Sequence, residues 1–241
     1  MSSILHIERD PAAWTFVLNR PEKRNALSGE LVEELIAGLD AARQAGIRLL
    51  VFRGEGRNFS AGFDFTGYQD ESDGDLTLRL VRIEQLLQDV AHWPGLTVAF
   101  AQGRNFGAGV DLFAACKRRY CTADATFRMP GLKFGLVLGT RRFRNIVGAS
   151  HAHSILAGAR VFDATEAVSM GFVGQIVPQA QWADVIRDNS QLAALLDRDT
   201  QASLYRILDD GDDDSDMADL VRSAARPGLK ERMKRYLEDP G

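Results

Sequence analysis

Residues 103–139 read GRNFGAGVDLFAACKRRYCTADATFRMPGLKFGLVLG and place a Gly-Ala-Gly turn directly before an apolar helix predicted over Ala108 to Ala115. A turn that opens a helix can aim backbone N–H groups at an oxygen that gains negative charge. Asp111 falls at the start of this helix, where its carboxyl group can move a proton. The stretch therefore predicts a site with backbone donors and a carboxyl group beside them.

The same region is informative for the acids that it lacks. No Asp or Glu occurs between Ala125 and Ala149, where a second acid is expected if the site adds water across a double bond. Chemistry with one acid is therefore considered first. A second interpretation of Asp111 stays open, because an acid at a helix N-terminus can serve only to stabilise the helix, by about 0.3–1 kcal/mol.

The composition is that of an ordinary globular protein. The chain has 241 residues, of which 45% are hydrophobic and 26% charged, with a net charge of −4. One compact body is expected, and an extended nucleic-acid surface is not. The first residues lack the basic and apolar regions of a targeting signal, and no apolar run approaches about 18 residues. We expect a cytoplasmic protein without a membrane partner.

Two groups of side chains have simple structural interpretations. Cys116 and Cys121 are too few for a disulfide framework and are predicted to be buried thiols in a reducing compartment. A basic cluster can face water or contact phosphate groups, and both alternatives are open. The cluster comprises Lys117, Arg118, Arg119, Arg141, Arg142 and Arg144.

Upstream of the quoted stretch, strands alternate with helices. Ser28 is predicted to cap an amphipathic helix that Gly46 ends, and a second amphipathic helix is predicted over Leu76 to Val90. Three strand-loop-helix units in succession indicate a spiral or layered α/β core. Strands are predicted at Ile4 to Ile7, Trp14 to Leu18, Arg48 to Phe52, Thr97 to Ala101 and Arg118 to Thr122.

Downstream, the pattern changes to helices. Asp163 and Glu166 predict a capping box for a short helix that Gly171 ends, and a last strand is predicted over Phe172 to Val177. We expect a core over residues 1–180 and a helical oligomerisation segment over residues 181–241. Its helices are predicted at Trp182 to Leu196, Gln201 to Leu208 and Met217 to Leu237, with an acidic solvated loop from Asp209 to Asp214.

Three motifs of other protein classes are incomplete. Gly54-Glu55-Gly56 follows a strand, but Phe59 stands where a dinucleotide fingerprint needs its third glycine. Ser60 resembles a nucleophile elbow, yet Asn58 replaces the first glycine and a triad histidine has no obvious candidate. His151 and His153 are two residues apart and have no nearby Cys or third His, so they are interpreted as surface or interface residues.

Four ordered stretches resemble the crotonase (enoyl-CoA hydratase/isomerase) superfamily over about residues 3–180. They are Leu18 to Leu27, Phe59 to Asp64, Gly107 to Asp111, and Ala164 to Val177. The resemblance implies a spiral of β-β-α units, a C-terminal helical segment that packs trimers or hexamers, and an acyl-CoA thioester as substrate. It implies neither a metal nor a cofactor beyond the CoA portion of that substrate.

The resemblance also implies roles for individual residues. By motif position, the N–H groups of Phe63 and Ala108 bind the thioester carbonyl oxygen and stabilise an enolate. Loss of one such donor typically lowers the rate by about 10²–10³. The residues implied to border the CoA are Phe63 and Ala108 themselves with Arg24, Ala26, Ala61, Gly62 and Asp64.

The chain departs from the family pattern in its acidic residues. Family hydratases carry a second Glu directly after a proline, where this chain has Gly131 after Pro130. Asp111 after the glycines resembles the dienoyl-CoA isomerase branch, but that branch has further acids near positions 131 and 139, and both are glycine here. In addition, Ala108 stands where glycine is usual and Lys117 replaces an Asp.

These departures favour one function and leave others open. The leading expectation is an acyl-CoA enzyme that shifts a double bond with Asp111 as its one acid, whereas ordinary hydratase activity is disfavoured. A CoA-thioester binding or assembly protein without chemistry is an alternative, as is an acyl-CoA hydrolase or decarboxylase. Glu55, Asp64, Asp70 and Glu84 are candidates for an acid that replaces the missing Glu.

Overall fold

The computed structural model describes residues 3–209 and 211–239, and a six-stranded sheet forms its centre. The strands are β1 (Leu5–Arg9), β2 (Trp14–Leu18), β3 (Leu49–Gly54), β4 (Leu96–Ala101), β5 (Arg104–Phe106), β6 (Arg118–Cys121), β7 (Thr126–Arg128), β8 (Phe162–Asp163) and β9 (Gln175–Ile176). The large sheet has the order β1-β2-β3-β4-β6-β9, antiparallel between β1 and β2 and parallel thereafter. A second sheet contains β5, β7 and β8.

Helices follow the strands, as the α/β prediction requires. Ser28 caps the first helix, where its Oγ accepts a hydrogen bond from the Leu31 N–H at 3.3 Å. Ser72 and Asp75 form a capping box at the second. The helices are α1 (Gly29–Gln44), α2 (Asp73–Ala91), α3 (Ala108–Ala115), α4 (Thr140–Leu156), α5 (Ala164–Ser169), α6 (Trp182–Ala194), α7 (Arg198–Leu208), α8 (Asp213–Ala224) and α9 (Leu229–Glu238).

Helix α3 lies at the centre of the core. All eight of its residues are buried, and α2 and α4 pack against it. Around its Phe113, a cluster of aromatic rings from three other elements fills the interior, with Phe127 and Phe172 at centroid distances of 5.4 and 5.6 Å. A helix that is buried on every side offers no solvent to a charged side chain, so an acid on α3 is costly to ionise.

Most of the predicted strands and helices are confirmed within a few residues, but four predictions are wrong in detail. The single helix predicted over Met217 to Leu237 is two helices, because the chain turns at Pro227 and Gly228, and Gly228 has φ +75°. The last strand covers only Gln175–Ile176. Helix α4 was absent from the prediction, and the acidic loop is shorter than predicted, since α8 already begins at Asp213. Asp210 of that loop lies outside the described residues.

The predicted capping box at α5 forms only in part. The Asp163 carboxylate accepts a hydrogen bond from the Glu166 N–H at 2.9 Å, as predicted. The Glu166 carboxylate does not accept a hydrogen bond from the Asp163 N–H. It pairs instead with the guanidinium of Arg160. Charge pairing with an arginine has therefore replaced the second half of the box.

The C-terminal helices pack on the preceding chain. Trp182 of α6 lies 4.9 Å from the Phe100 ring of β4, between ring centroids. Helices α8 and α9 pack against α2 and beside the short 3-10 helix Gly131–Phe134. The division at residue 180 stays a prediction. None of the helices within residues 3–209 and 211–239 is long and apolar enough to cross a membrane.

The cysteines and the basic cluster are now placed. Cys116 and Cys121 are buried free thiols, as predicted, and burial raises the pKa of each to about 12. The basic side chains donate hydrogen bonds within the protein: Lys117, for example, donates to the Ala91 and Trp93 carbonyl oxygens at the end of α2. The five arginines bond to Asn189, Phe172, Asp216, Glu84 and Asn145, so each side chain of the cluster has at least one partner within the protein.

Candidate active site

Two backbone turns meet at the candidate site. The first contains Gly62 and Phe63, the second contains Gly107 and Ala108, and Gly62 brings the two close together. A Cβ atom added at Gly62 would lie 2.4 Å from the Phe106 carbonyl oxygen and 3.1 Å from the Ala108 nitrogen. Gly62 also has φ +80°, which disfavours other residues. Only glycine therefore permits this approach, which sets Phe63 and Ala108 side by side.

Phe63 is held by hydrogen bonds of its neighbours. The Leu27 N–H donates to the Gly62 carbonyl oxygen at 2.7 Å, and the Asp64 N–H donates to the Leu27 carbonyl oxygen at 3.2 Å. The Phe63 N–H itself points away from this bridge and has no acceptor among the described residues. It is a fixed donor that can serve a bound oxygen.

Ala108 begins α3 and presents the second donor. The preceding Gly107 has φ 45° and ψ −125°, and its N–H donates to the Arg128 carbonyl oxygen at 2.9 Å. As the first residue of the helix, Ala108 has no intrahelical acceptor for its N–H, and none occurs elsewhere in the described chain. Both donors implied by the sequence thus stand at the edge of one cavity.

The first loop is held in a strained conformation by Asn25. Arg24 and Asn25 have φ values of 51° and 54°, which non-glycine residues adopt rarely and at a cost of about 1–3 kcal/mol each. The buried Asn25 amide donates to the Glu55 and Asn58 carbonyl oxygens, both at 2.9 Å. The Arg24 carbonyl oxygen accepts from the Ala61 N–H at 2.8 Å, so this loop orders the next one. Sequence reasoning assigned Asn25 no role, because its partners lie about 30 residues away.

The two turns and α3 border a cavity of about 600 Å³. Of the residues implied by the resemblance, only Gly62 does not line it, because Gly62 packs behind the cavity against Phe106. Arg24, Ala26, Ala61, Phe63, Asp64, Ala108 and Asp111 all do. Apolar and aromatic side chains complete the wall; they include Leu80, Phe134, Leu136, Leu138, Tyr236 and Leu237.

Asp111 lies one helical turn beyond Ala108 and is 3% exposed. Burial raises the pKa of its carboxyl group well above the ordinary value, and nearby Glu84 raises it further, while Arg142 opposes the shift. Its Oδ1 atom is buried and accepts no hydrogen bond from the described residues. An acid that only capped the helix would lie in water, so the burial favours a chemical role.

Gly139 makes room for Asp111. A Cβ atom on Gly139 would lie 1.9 Å from Asp111 Oδ1, and Gly139 has φ +61°. Any other residue at position 139 would displace the carboxyl group. The glycine is therefore part of the site, although it offers no side chain.

Gly131 differs from Gly139 in its surroundings, although the family resemblance implies an acid at both positions. It lines the cavity, and a Cβ atom there would meet only the Leu136 carbonyl oxygen, at 3.1 Å. Its φ lies outside the left-handed region. The cavity wall therefore has space for a larger side chain at position 131 after a shift of a few tenths of an ångström.

The four candidates for a replacement acid fall into three groups: paired, exposed, and buried away from the cavity. Asp64 is paired with Arg20 at 2.8 Å and accepts from the Thr66 N–H at 2.9 Å, and its pKa is lowered although burial opposes this. Glu55 and Asp70 are exposed.

Glu84 is buried beside Asp111, with a pKa raised by burial, and its carboxylate pairs with Arg142 at 3.3 Å. It does not line the cavity.

The rejected motifs have structural roles or lie at the surface. The Ser60 hydroxyl is buried and donates to the Asn25 carbonyl oxygen at 2.8 Å, which fixes the loop instead of forming a nucleophile. His151 and His153 are exposed, as predicted. Over the described part of the chain, no group of three or more His, Cys, Asp or Glu side chains is placed to hold a metal ion.

Known proteins share this fold. The family model of enoyl-CoA hydratase/isomerase matches residues 12–219. A crystal structure of an enoyl-CoA hydratase/isomerase from Bordetella parapertussis superposes with a TM-score of 0.98 at 64% identity, and the match covers 99% of this chain and 100% of that one. The fold and the two turns define a protein of the crotonase class.

Curated relatives agree with this class but carry different activities in their names. A protein of Mycobacterium bovis named as a probable enoyl-CoA hydratase, echA6, is 33% identical over 196 residues, which is 79% of each chain. The human mitochondrial Delta(3,5)-Delta(2,4)-dienoyl-CoA isomerase is 30% identical over 68% of this chain and 55% of its own length. This chain belongs to the enoyl-CoA hydratase/isomerase family.

Proposed function

We propose that this protein is an acyl-CoA isomerase that forms a thioester enolate and moves one proton with Asp111. One observation carries the proposal: a single cavity is bordered by the N–H groups of Phe63 and Ala108 and by the buried carboxyl group of Asp111, which has no ion-pair partner among the described residues. The other carboxyl groups among its described lining residues are Asp64, which is paired with Arg20, and Glu22, which is exposed.

The proposed step needs only this one acid. The Asp111 carboxylate takes a proton from the carbon next to the thioester of a 3-enoyl-CoA, and the electron pair moves onto the carbonyl oxygen. Phe63 N–H and Ala108 N–H stabilise the resulting oxyanion without carrying a charge of their own. The protonated Asp111 then returns the proton to the far end of the conjugated system, so the double bond moves and Asp111 is restored.

The raised pKa of Asp111 suits this role. A buried carboxylate is a stronger base than a solvated one, and a pKa closer to the working pH improves transfer in both directions. Water addition would need a second acid on the opposite side of the substrate, where Gly131 has no side chain. Hydratase activity by paired acids is therefore not part of the proposal.

We propose that the CoA portion binds at the mouth of the cavity. The exposed Lys23 and Arg24 side chains lie there and suit the phosphate groups of CoA. Ala26, Ala61 and Asp64 form the adjoining wall. Binding energy from this remote part of the substrate can position the acyl group for reaction.

We further propose that the protein assembles as a trimer or hexamer in the cytoplasm. Exposed apolar side chains support self-association: Leu195 directly after α6 and Ile207 and Leu208 on α7 are 76%, 71% and 69% exposed. The buried free thiols of Cys116 and Cys121 support a reducing compartment. Sedimentation equilibrium checks the assembly. The wild type is expected to be a trimer or hexamer and Ile207→Asp to weaken that association, whereas a monomeric wild type would refute the proposal.

The function is tested by solvent exchange at the acyl group. The wild type, incubated with a 3-enoyl-CoA in deuterated water, is expected to move the double bond with deuterium uptake, followed by NMR. Asp111→Asn is expected to lower turnover by at least about 10²-fold, the lower end for general acid–base catalysis, and to leave acyl-CoA binding nearly intact. Asp70→Asn, at an exposed acid, is the control.

Other outcomes identify the alternative functions. Tight acyl-CoA binding without exchange across several substrates would replace the isomerase by a CoA-thioester binding protein. Release of free CoA or of carbon dioxide would indicate hydrolysis or decarboxylation at the same donors. Isomerisation that survives in Asp111→Asn would refute the assignment of the acid.

A further inference from the structure

Two more charged side chains lie near Asp111 and are not used by the proposed reaction. Glu84 on α2 is 1% exposed, and its carboxylate pairs with the Arg142 guanidinium of α4 at 3.3 Å. Helix α3, which carries Asp111, packs between these two helices. Asp111, Glu84 and Arg142 therefore form one electrostatic group that spans three helices, in which the Arg142 side chain is 13% exposed.

Two atoms of this group lack hydrogen-bond partners among the described residues. They are Arg142 Nη1, a donor, and Asp111 Oδ1, an acceptor. Arg142 pairs with Glu84 through its Nη2 atom and forms no ion pair with Asp111 within the described chain. A buried donor and a buried acceptor left unpaired cost about 1–3 kcal/mol each, so their presence calls for a function.

The unpaired atoms become useful when Asp111 ionises. Its Oδ1 faces Gly139, which caps the N-terminus of α4, and Arg142 belongs to the first turn of that helix. A helix N-terminus favours negative charge, and a guanidinium favours it more strongly. The N-terminus of α4 and the charge of Arg142 therefore both favour the ionised form of Asp111.

We propose that Arg142 is a positioning residue: tethered by Glu84, it holds an unused N–H in reserve for the Asp111 carboxylate and so sets when that acid releases its proton. Glu84 opposes this effect, because it draws the guanidinium toward itself and adds a negative charge. The inference rests on the proposed role of Asp111, but the ionisation of Asp111 is measurable without turnover.

The charged groups around the cluster define the controls. Asp111 faces Glu84 from α2 and Arg142 from α4, and Glu84 also faces Gln88 and, from α8, Asp216. Asp216 is paired with Arg141 at 2.9 Å, and Arg141 also contacts Asp219. Arg141 therefore neighbours Arg142 in sequence but serves α8, which makes Arg141→Gln a matched control.

The test is an infrared pH titration of the Asp111 carboxyl band in the substrate-free protein, with Asp111→Asn to assign the band. Arg142→Gln is expected to move the titration midpoint upward, because it removes the partner of the carboxylate. Glu84→Gln is expected to move it downward, because it removes a negative charge and frees Arg142. Arg142→Lys and Arg141→Gln are expected to change it least.

If Arg142 and Glu84 only stabilised the fold, their replacement would change stability alone. It would not shift the Asp111 titration midpoint in opposite directions. If the reaction proceeds as proposed, Arg142→Gln also lowers kcat at neutral pH, and raising the pH restores it. Midpoints that stay in place, or that move in the same direction, would overturn the inference.

Should Arg142→Gln fail to fold, the comparison of Glu84→Gln with Arg142→Lys still decides it. A protein without turnover would refute the proposed function but leave this titration valid.

Discussion

The donor side and the acid side of the cavity are built by different means. On the donor side, Phe63 and Ala108 present backbone N–H groups whose positions are fixed by glycine turns and by the buried Asn25. On the acid side, a single carboxyl group lies among charges from two other helices, opposite positions that hold glycine. The backbone donors depend on the close approach of two turns, whereas the ionisation of a buried acid depends on every charge packed around it.

The largest effect is expected from damage to the donor side at Gly62. Gly62→Ala places a Cβ atom 2.4 Å from the Phe106 carbonyl oxygen and separates the two turns. Misplacing one donor should lower kcat by about 10²–10³, measured with the best acyl-CoA substrate. Gly67→Ala is the matched control, because Gly67 also has a positive φ, +76°, but nothing lies within 4 Å of its added Cβ atom. Equal losses in the two variants would show that the backbone conformation alone matters.

The two glycines of the acid side should respond in opposite ways to an added acid. Gly131→Glu has space at the cavity wall and is expected to introduce measurable hydration of a 2-enoyl-CoA, followed by loss of absorbance of the conjugated thioester. Gly139→Glu would push Asp111 away and is expected to abolish isomerisation without introducing hydration. Hydration in the Gly139 variant, or isomerisation unaffected there, would contradict the assigned geometry.

A smaller effect is expected on stability. Because burial raises the pKa of Asp111, folding favours its protonated form; this contribution is complete below the ordinary pKa and is lost as the pH rises through the raised pKa. Asp111→Asn cannot ionise, so its melting temperature should increasingly exceed that of the wild type as the pH rises. At pH 8 we expect a gain of about 2–4 °C, equivalent to about 1 kcal/mol for a chain of this size. Calorimetry that finds the same pH dependence in both proteins would argue against a costly ionised Asp111.

The same comparison explains what the sequence could predict. The hairpin and α1 to α3 were readable because capping residues, apolar stripes and glycines act over a few neighbouring positions, whereas the donor roles of Phe63 and Ala108 were implied by the family resemblance and stay a prediction. Asp111 was identified by its place in the helix. Its partners Glu84 and Arg142 were not assigned to it, since they lie 27 and 31 residues away on helices whose packing no local pattern specifies.

The glycines show the limit most clearly. Gly131 and Gly139 look alike in the sequence as positions that lack an acid. The structure separates them: one borders open space, and the other is required by the oxygen of Asp111. Likewise, Pro227-Gly228 in the sequence marked the break between α8 and α9, but the apolar pattern that continues across it predicted one helix.

The most direct test of the central claim is a crystal structure with a bound, unreactive saturated acyl-CoA. The account predicts that the thioester oxygen lies about 2.7–3.1 Å from both the Phe63 and the Ala108 nitrogen, with the adjacent carbon facing the Asp111 carboxyl group. A thioester oxygen bound elsewhere, or a chain that leaves Asp111 facing only protein, would contradict it.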